Sequence, residues 1–197
     1  MFLPREPSAQ LVNKFIARQR DLPFSYAEVG ATGKTPPAGY TVDHNRIQLG
    51  RGKQVYECAV DALRHWRQFD LGWVTVVPTG VPVEVGATVA VRARTFGFWS
   101  LSAARIVYLI NQNEPVQRFG FAYGTLPDHV ERGEERFIVE WLLKDDSVWY
   151  DILAFSQPRH PLVKLSSPLA RVLQNRFVRD SKRRMLEITD FQTAAVP

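Results

Sequence analysis

Cysteine is nearly absent from this 197-residue chain, where Cys58 stands alone. A single thiol excludes an intrachain disulfide framework and a cysteine-built zinc site. Cys58 falls in an apolar helical pattern, so a small core residue is a simpler reading than a nucleophile. Long apolar runs are missing as well. No stretch approaches the ~18 uncharged residues of a membrane-spanning helix. The N-terminal Met1-Phe2-Leu3-Pro4-Arg5-Glu6-Pro7 has neither a leader core nor a small-residue cleavage site. A reducing cytoplasm is the expected setting.

Charge of one sign is scarce outside a single segment. Lys and Arg number 25 against 20 Asp and Glu, a net of +5. Between Pro158 and Thr189, eight basic residues meet only Asp180 and Glu187, which is +6 for that stretch and −1 for the rest. This distribution excludes a uniformly cationic nucleic-acid coat and makes a nucleic-acid partner an unfavoured reading. Arg and Lys snorkelling around one helix account for the excess, although peripheral contact with an anionic membrane stays open. No cofactor and no metal are expected.

What is present is two helical ends around a strand-rich middle. Ser8 is placed to cap a helix running to about Arg20, with Leu11, Val12, Phe15 and Ile16 on one side. A Gly- and Pro-rich loop leads to a strand from Tyr40 to Leu49. Gly50-Arg51-Gly52 then opens a helix over about Lys53 to Arg67, whose Val55, Ala59, Ala62, Leu63 and Trp66 recur at helical spacing. From Trp73 to Ser156 the apolar period changes to two. Strands are predicted at 74–77, 88–96, 104–110, 117–123, 136–143 and 148–155. A last helix begins near Ser167-Pro168, an N-cap followed by proline at the first helical position.

The final hairpin gives the sharpest local expectation. With Asp145-Asp146 as a two-residue turn, Trp141 faces Tyr150, Val139 faces Ile152, and Glu140 lies directly opposite Asp151. Two opposed carboxylates repel and need water or a neighbouring arginine; a catalytic pair is the rarer alternative. The apolar side of the sheet must be covered, and the last helix offers Leu169, Val172, Leu173 and Phe177. The fold class is therefore α+β: a curved antiparallel sheet gripping a long C-terminal helix, with an extra N-terminal helix. It forms one domain over residues 1–197. Residues 1–22 are the N-terminal helical appendage, 23–158 the strand-rich body with its helix near 53–67, and 159–189 the C-terminal helix.

Several strings resemble a bacterial and plant family known only as a domain of unknown function. They are Gly39-Tyr40, Leu49-Gly50-Arg51-Gly52 with Trp66 one helix later, and Tyr123-Gly124-Thr125-Leu126-Pro127 with His129. Gly133-Glu134-Glu135-Arg136-Phe137, Ala154-Phe155-Ser156-Gln157-Pro158 and Leu173-Gln174 continue the match across roughly residues 24 to 187. At fold level the resemblance extends to the START-like or birch-pollen-allergen-like helix-grip superfamily, and it implies an apolar ligand cavity. It implies no reaction and no catalytic residues.

Four features could carry function. The aromatic face of Phe119, Phe121, Tyr123, Trp141 and Tyr150, with Phe177 from the helix, is either core or the wall of a cavity for a small apolar or aromatic ligand. The stretch from Thr125 to Glu135 holds His129, Glu131, Glu134 and Glu135; His129 with Glu134 or Glu135 could supply polarity or acid–base chemistry, making a hydrolase, cyclase or isomerase, or the stretch is a solvated loop turning at Gly133. Gly50, Arg51, Gly52 and Lys53 precede a helix N-terminus, where an anion could bind, although neither dinucleotide nor phosphate-loop spacing is met. The basic last helix could serve as an interaction module on anionic lipid or nucleic acid. Ligand binding in a helix-grip cavity is the leading expectation; the sequence leaves the oligomeric state unspecified.

Overall fold

A computed structural model describes residues 1–129, 131–158 and 167–193. The elements in chain order are β1 (Phe2–Leu3), α1 (Ala9–Gln19), β2 (Thr41–Arg51), α2 (Lys53–Arg64), β3 (Val74–Val77), β4 (Thr88–Thr95), β5 (Phe98–Gln112), β6 (Gln117–Thr125), β7 (Glu131–Leu142), β8 (Ser147–Pro158) and α3 (Ser167–Thr193). The eight strands form one antiparallel sheet in the order β2-β8-β7-β6-β5-β4-β3, with β1 pairing the part of β5 that β6 leaves free. Consecutive strands from β3 to β8 are neighbours, as short hairpin connections dictate. The α+β architecture expected above is the architecture found. Residues 159–166, the start of the expected C-terminal helix, lie outside the described residues.

Local signals explain most element ends. Ser8 Oγ accepts from the Leu11 amide at 3.3 Å and caps α1. The second helix stops at Arg64, three residues short of the expected Arg67, because Trp66 adopts a left-handed conformation and gives its indole N–H to the Val81 carbonyl at 2.9 Å. A one-turn 3-10 segment, Arg67–Phe69, then buries Phe69. In β5 the register shifts between Ile106 and Tyr108, so Tyr108 points to the opposite face from Ser102, Ala104 and Ile106. Strict alternation could not show this.

The last hairpin corrects the expected register. Leu142 pairs Ser147, Trp141 pairs Val148, Val139 pairs Tyr150 and Phe137 pairs Ile152. Four residues, Leu143–Asp146, make the connection. A two-residue type I′ turn needs both central residues in the left-handed region, and only Asp146 adopts it. Asp145 instead uses its carboxylate to take the Ser147 amide and hydroxyl at 3.2 and 2.6 Å. A shift of two leaves every side chain on its expected face but separates the expected carboxylate pair. Glu140 lies between Arg118 and Arg46, at 2.7 and 2.6 Å. Asp151 is held by Arg136 at 3.0 Å and His44 at 2.6 Å. Arginines from neighbouring strands satisfy both carboxylates.

Both sheet faces are covered in part. On the outer face, Val12, Phe15 and Ile16 of α1 pack on Val77, Ala90, Leu101, Ala103 and Leu126. On the concave face, α2 shares the covering role expected of the last helix alone. Val55, Ala59, Ala62 and Leu63 of α2 join Phe121, Phe137, Tyr150, Met185 and Ile188 in the main core. Trp66 meets Phe121 edge-on at 4.7 Å, and Tyr150 shares a buried hydrogen bond with Ser181 at 3.0 Å. Val172, placed on the buried stripe from the sequence, is 60% exposed. The side of α3 that meets the core runs through Ser181, Met185, Ile188 and Thr189, while Leu173 and Phe177 face a space that the core does not fill.

Candidate functional site

The concave face changes character along β7. Phe137, Val139 and Trp141 lie under α2 and the lower part of α3; Glu131, Gly133 and Glu135, on the same face by period-two alternation, do not. Above that polar end is a pocket of about 280 Å³ between the sheet and the first half of α3. Its apolar wall comes from Phe69, Trp73, Val91, Ala154, Phe177 and Val178. Its polar patch comes from Asp43, Tyr123, His129, Glu131, Glu135 and Gln174.

Two glycines make this construction fit. Gly133 has φ +152°, and a Cβ there would lie 1.9 Å from the Phe155 carbonyl oxygen. Only glycine allows β8 to approach so closely. Gly124 makes room on the outer face, where an added Cβ would lie 2.2 Å from the Tyr26 hydroxyl. Thr125 ties the start of β7 to β6: its hydroxyl donates to the Gly133 carbonyl at 3.1 Å and accepts from the Gly133 amide at 2.9 Å.

The polar patch is a connected set. Tyr123 donates to Glu135 Oε2 at 2.6 Å. Gln174 of α3 donates to Glu131 Oε2 at 2.7 Å and to Ser156 at 3.1 Å. Arg171, one turn earlier, pairs with Asp43. Burial raises the Glu135 carboxyl to about 7; the Tyr123 hydrogen bond opposes that, while Glu131 and Asp43 add to it. Burial likewise raises Glu131, against the hydrogen bonds from Gln174 and Ser156. Tyr123 is raised by burial and by Glu135. Burial lowers His129 to about 4, which keeps the imidazole neutral near pH 7. Glu135 and His129 retain some exposed surface, and both line the pocket.

Of the residues singled out from sequence, Tyr123, His129, Glu135 and Phe177 come together on this wall. Others go elsewhere. Phe121 and Tyr150 are fully buried in the packed core, and Phe119 packs there under Arg64, whose guanidinium stacks on its ring at 4.8 Å. Trp141 lies near Tyr56 with its indole N–H given to Asp146 at 2.8 Å. The expected solvated loop at 131–135 is the first part of β7, and Glu134 points to the outer face, only 2% exposed. Its carboxylate accepts from the Tyr26 hydroxyl at 2.7 Å, the Gly30 amide at 2.7 Å, the Thr32 amide at 2.9 Å and the Thr32 hydroxyl. That makes it a fastener for the segment before β2. The turn of Gly50 to Lys53 lies at the far hairpin: the Gly52 amide donates to Asp146 O at 2.9 Å, Arg51 reaches the Asp145 carbonyl and Lys53 pairs with Glu57.

The sequence reading missed Asp43, Gln174, Phe69 and Trp73 as site residues. The alternation Thr41, Asp43, Asn45, Ile47 along β2 carried a signal, since a concave face that turns polar at one end marks where packing stops. Glu131 stood in the expected acidic cluster, but starting the strand at residue 136 put it in a loop. Among the described residues, no group of three or more His, Cys, Asp or Glu is arranged to hold a metal ion, and no helix is long and apolar enough to cross a membrane.

A sheet that grips a long C-terminal helix with a pocket between them defines a helix-grip protein. The chain belongs to the family described as "Domain of unknown function (DUF1990)", whose model matches residues 25–184. It is 39% identical over 205 residues to a UPF0548 protein of Dictyostelium discoideum, covering 95% of each chain. Among solved structures it is similar to Ara h 8.0201, with a TM-score of 0.48 at 9% identity over 76% of this chain and 99% of that one. It is also similar to human STARD10, with a TM-score of 0.47 at 10% identity over 97% of this chain and 84% of the other.

Proposed function

We propose that this protein binds a small, largely apolar molecule in the pocket between the sheet and α3. One observation carries the reading. The concave face is buried in the main core under α2, yet the same sheet keeps a pocket of about 280 Å³ with aromatic and aliphatic walls at its other end. Apolar walls with a few convergent polar groups are the usual composition of a small-molecule site. Native mass spectrometry of freshly purified protein tests it, together with Ala154→Phe. Ala154 pairs both Glu135 and Asp43 across the sheet, so the larger ring would project into the pocket. A copurified small molecule present in the native chain and lost in the filled variant supports the reading. Equal binding of apolar probes by both chains would sink it.

A second reading, an acid–base enzyme on the same scaffold, is favoured by Glu135, whose carboxyl is held near neutrality beside the Tyr123 hydroxyl. His129 lines the same pocket; Glu134, with its carboxylate engaged on the outer face, takes no part. Turnover of a pocket-bound compound that Glu135→Gln abolishes while binding persists distinguishes the enzyme from the carrier.

A further inference from the structure

We infer that the pocket selects ligands that carry a protonated amine on an apolar or aromatic body, with the amine seated on Glu135. This rests on the pocket being a ligand site and names the chemistry it recognises.

Asp43, Glu131 and Glu135 bring carboxyl groups to the pocket, whereas Glu134, also on its lining, has its carboxylate engaged by Tyr26 and Gly30. Facing them are Tyr123 and Tyr150 from the sheet, Arg171 and Gln174 from α3, and His129 from the β6–β7 connection. Arg171 is the full cation that acts on the carboxyl groups, and the Met1 ammonium acts on His129. Arg171 pairs with Asp43 and also acts on Glu131, which leaves Glu135 without a cationic partner among the described residues. An anionic ligand would meet repulsion here. A neutral apolar ligand would leave Glu135 to be satisfied by Tyr123 alone.

Glu135 Oε2 accepts from Tyr123, and Oε1 has no partner among the described residues. His129 uses Nδ1 on the Glu131 backbone, and its Nε2 is without a partner among them too. Both side chains keep some exposed surface and line the pocket, so a carboxylate oxygen and a ring nitrogen stand open there to a polar group of a ligand. An ammonium donates to a carboxylate in a charge-assisted bond, and low-dielectric walls strengthen it. Seating it ionises Glu135, and the displaced proton passes to solvent.

The test uses the full chain and three probes of one shape: 2-naphthylmethylamine, 2-naphthylmethanol and 2-naphthoate, titrated at pH 7 by calorimetry in phosphate and in Tris. The amine is expected to bind about tenfold tighter than the alcohol, and the carboxylate more weakly than both. Its apparent enthalpy should differ between the two buffers, reporting proton release, while that of the alcohol should not. Glu135→Gln should bring amine and alcohol within about threefold of one another. If the alcohol binds as well as the amine to the native chain, the amine preference is overturned and the apolar pocket stands. If none of the three binds, both fall. The native-chain ratio decides the matter should Glu135→Gln fail to melt cooperatively.

Discussion

Tyr26 passes over Gly124 and gives its hydroxyl to the buried carboxylate of Glu134 at 2.7 Å, joining a segment near the N-terminus to the centre of the sheet. Burial and the Glu134 hydrogen bond both raise the Tyr26 hydroxyl far above its ordinary range, so it stays a donor at every physiological pH. Replacing Glu134 by Ala strands the Gly30 and Thr32 amides and the Tyr26 hydroxyl in a dry site. A loss of about 3 kcal/mol or more is expected in urea unfolding. Gly124→Ala should reproduce much of that loss by displacing Tyr26, without touching the carboxylate.

The pH dependence of stability separates Glu135 from His129. A carboxyl raised from 4.5 to about 7 binds more protons folded than unfolded, so its contribution falls as pH rises between those values. A histidine lowered from 6.5 to about 4 binds fewer protons folded, so its contribution rises with pH between 4 and 6.5. The two oppose one another from about pH 4.5 to 6.5. Glu135→Gln should therefore gain a slope of up to about +1.4 kcal/mol per pH unit relative to the native chain there, and His129→Gln a negative one. Urea midpoints at half-unit intervals of pH measure both. Difference curves without opposite signs would refute the assignment.

Aromatic residues on the same sheet face should divide into two classes. Phe121 is fully buried against Trp66 and Phe137, so Phe121→Ala should cost about 3–5 kcal/mol of stability. Phe177 meets Phe69 at 5.0 Å but is only half-buried on the pocket wall. Phe177→Ala should cost less stability and change probe affinity more. Thermal melts and the naphthyl titrations, run on both variants, would show the crossing.

The contrast between these two phenylalanines shows what the sequence could and could not reveal. Period-two patterning placed Phe119, Phe121, Tyr123, Trp141 and Tyr150 on one face, because a strand leaves its side chains no other choice. Which of those rings would be packed and which left beside open space depended on α2 lying over one end of the sheet. That is a tertiary fact with no local signature. The same limit applies to Glu134 and Glu135. They read alike as adjacent acidic residues until β7 is extended back to Glu131, after which their opposite directions are forced. The register of the last hairpin turned on a backbone choice at Asp145 that two aspartates in a row do not disclose.

Helix α3 has two mechanical parts. From Asp180 to Thr189 it is buried against α2 and the sheet through Ser181, Met185, Ile188 and Thr189; from Arg171 to Val178 it roofs the pocket with half-buried or exposed residues. Backbone amides of the anchored part should exchange with deuterated solvent far more slowly than those of the roof, and a bound probe should slow the roof alone. The roof is held to the sheet by polar side chains, Arg171 on Asp43 and Gln174 on Glu131 and Ser156, and the anchor by packing around Ser181 and Tyr150. One helix thus serves as core along half its length and as the wall of a site along the other.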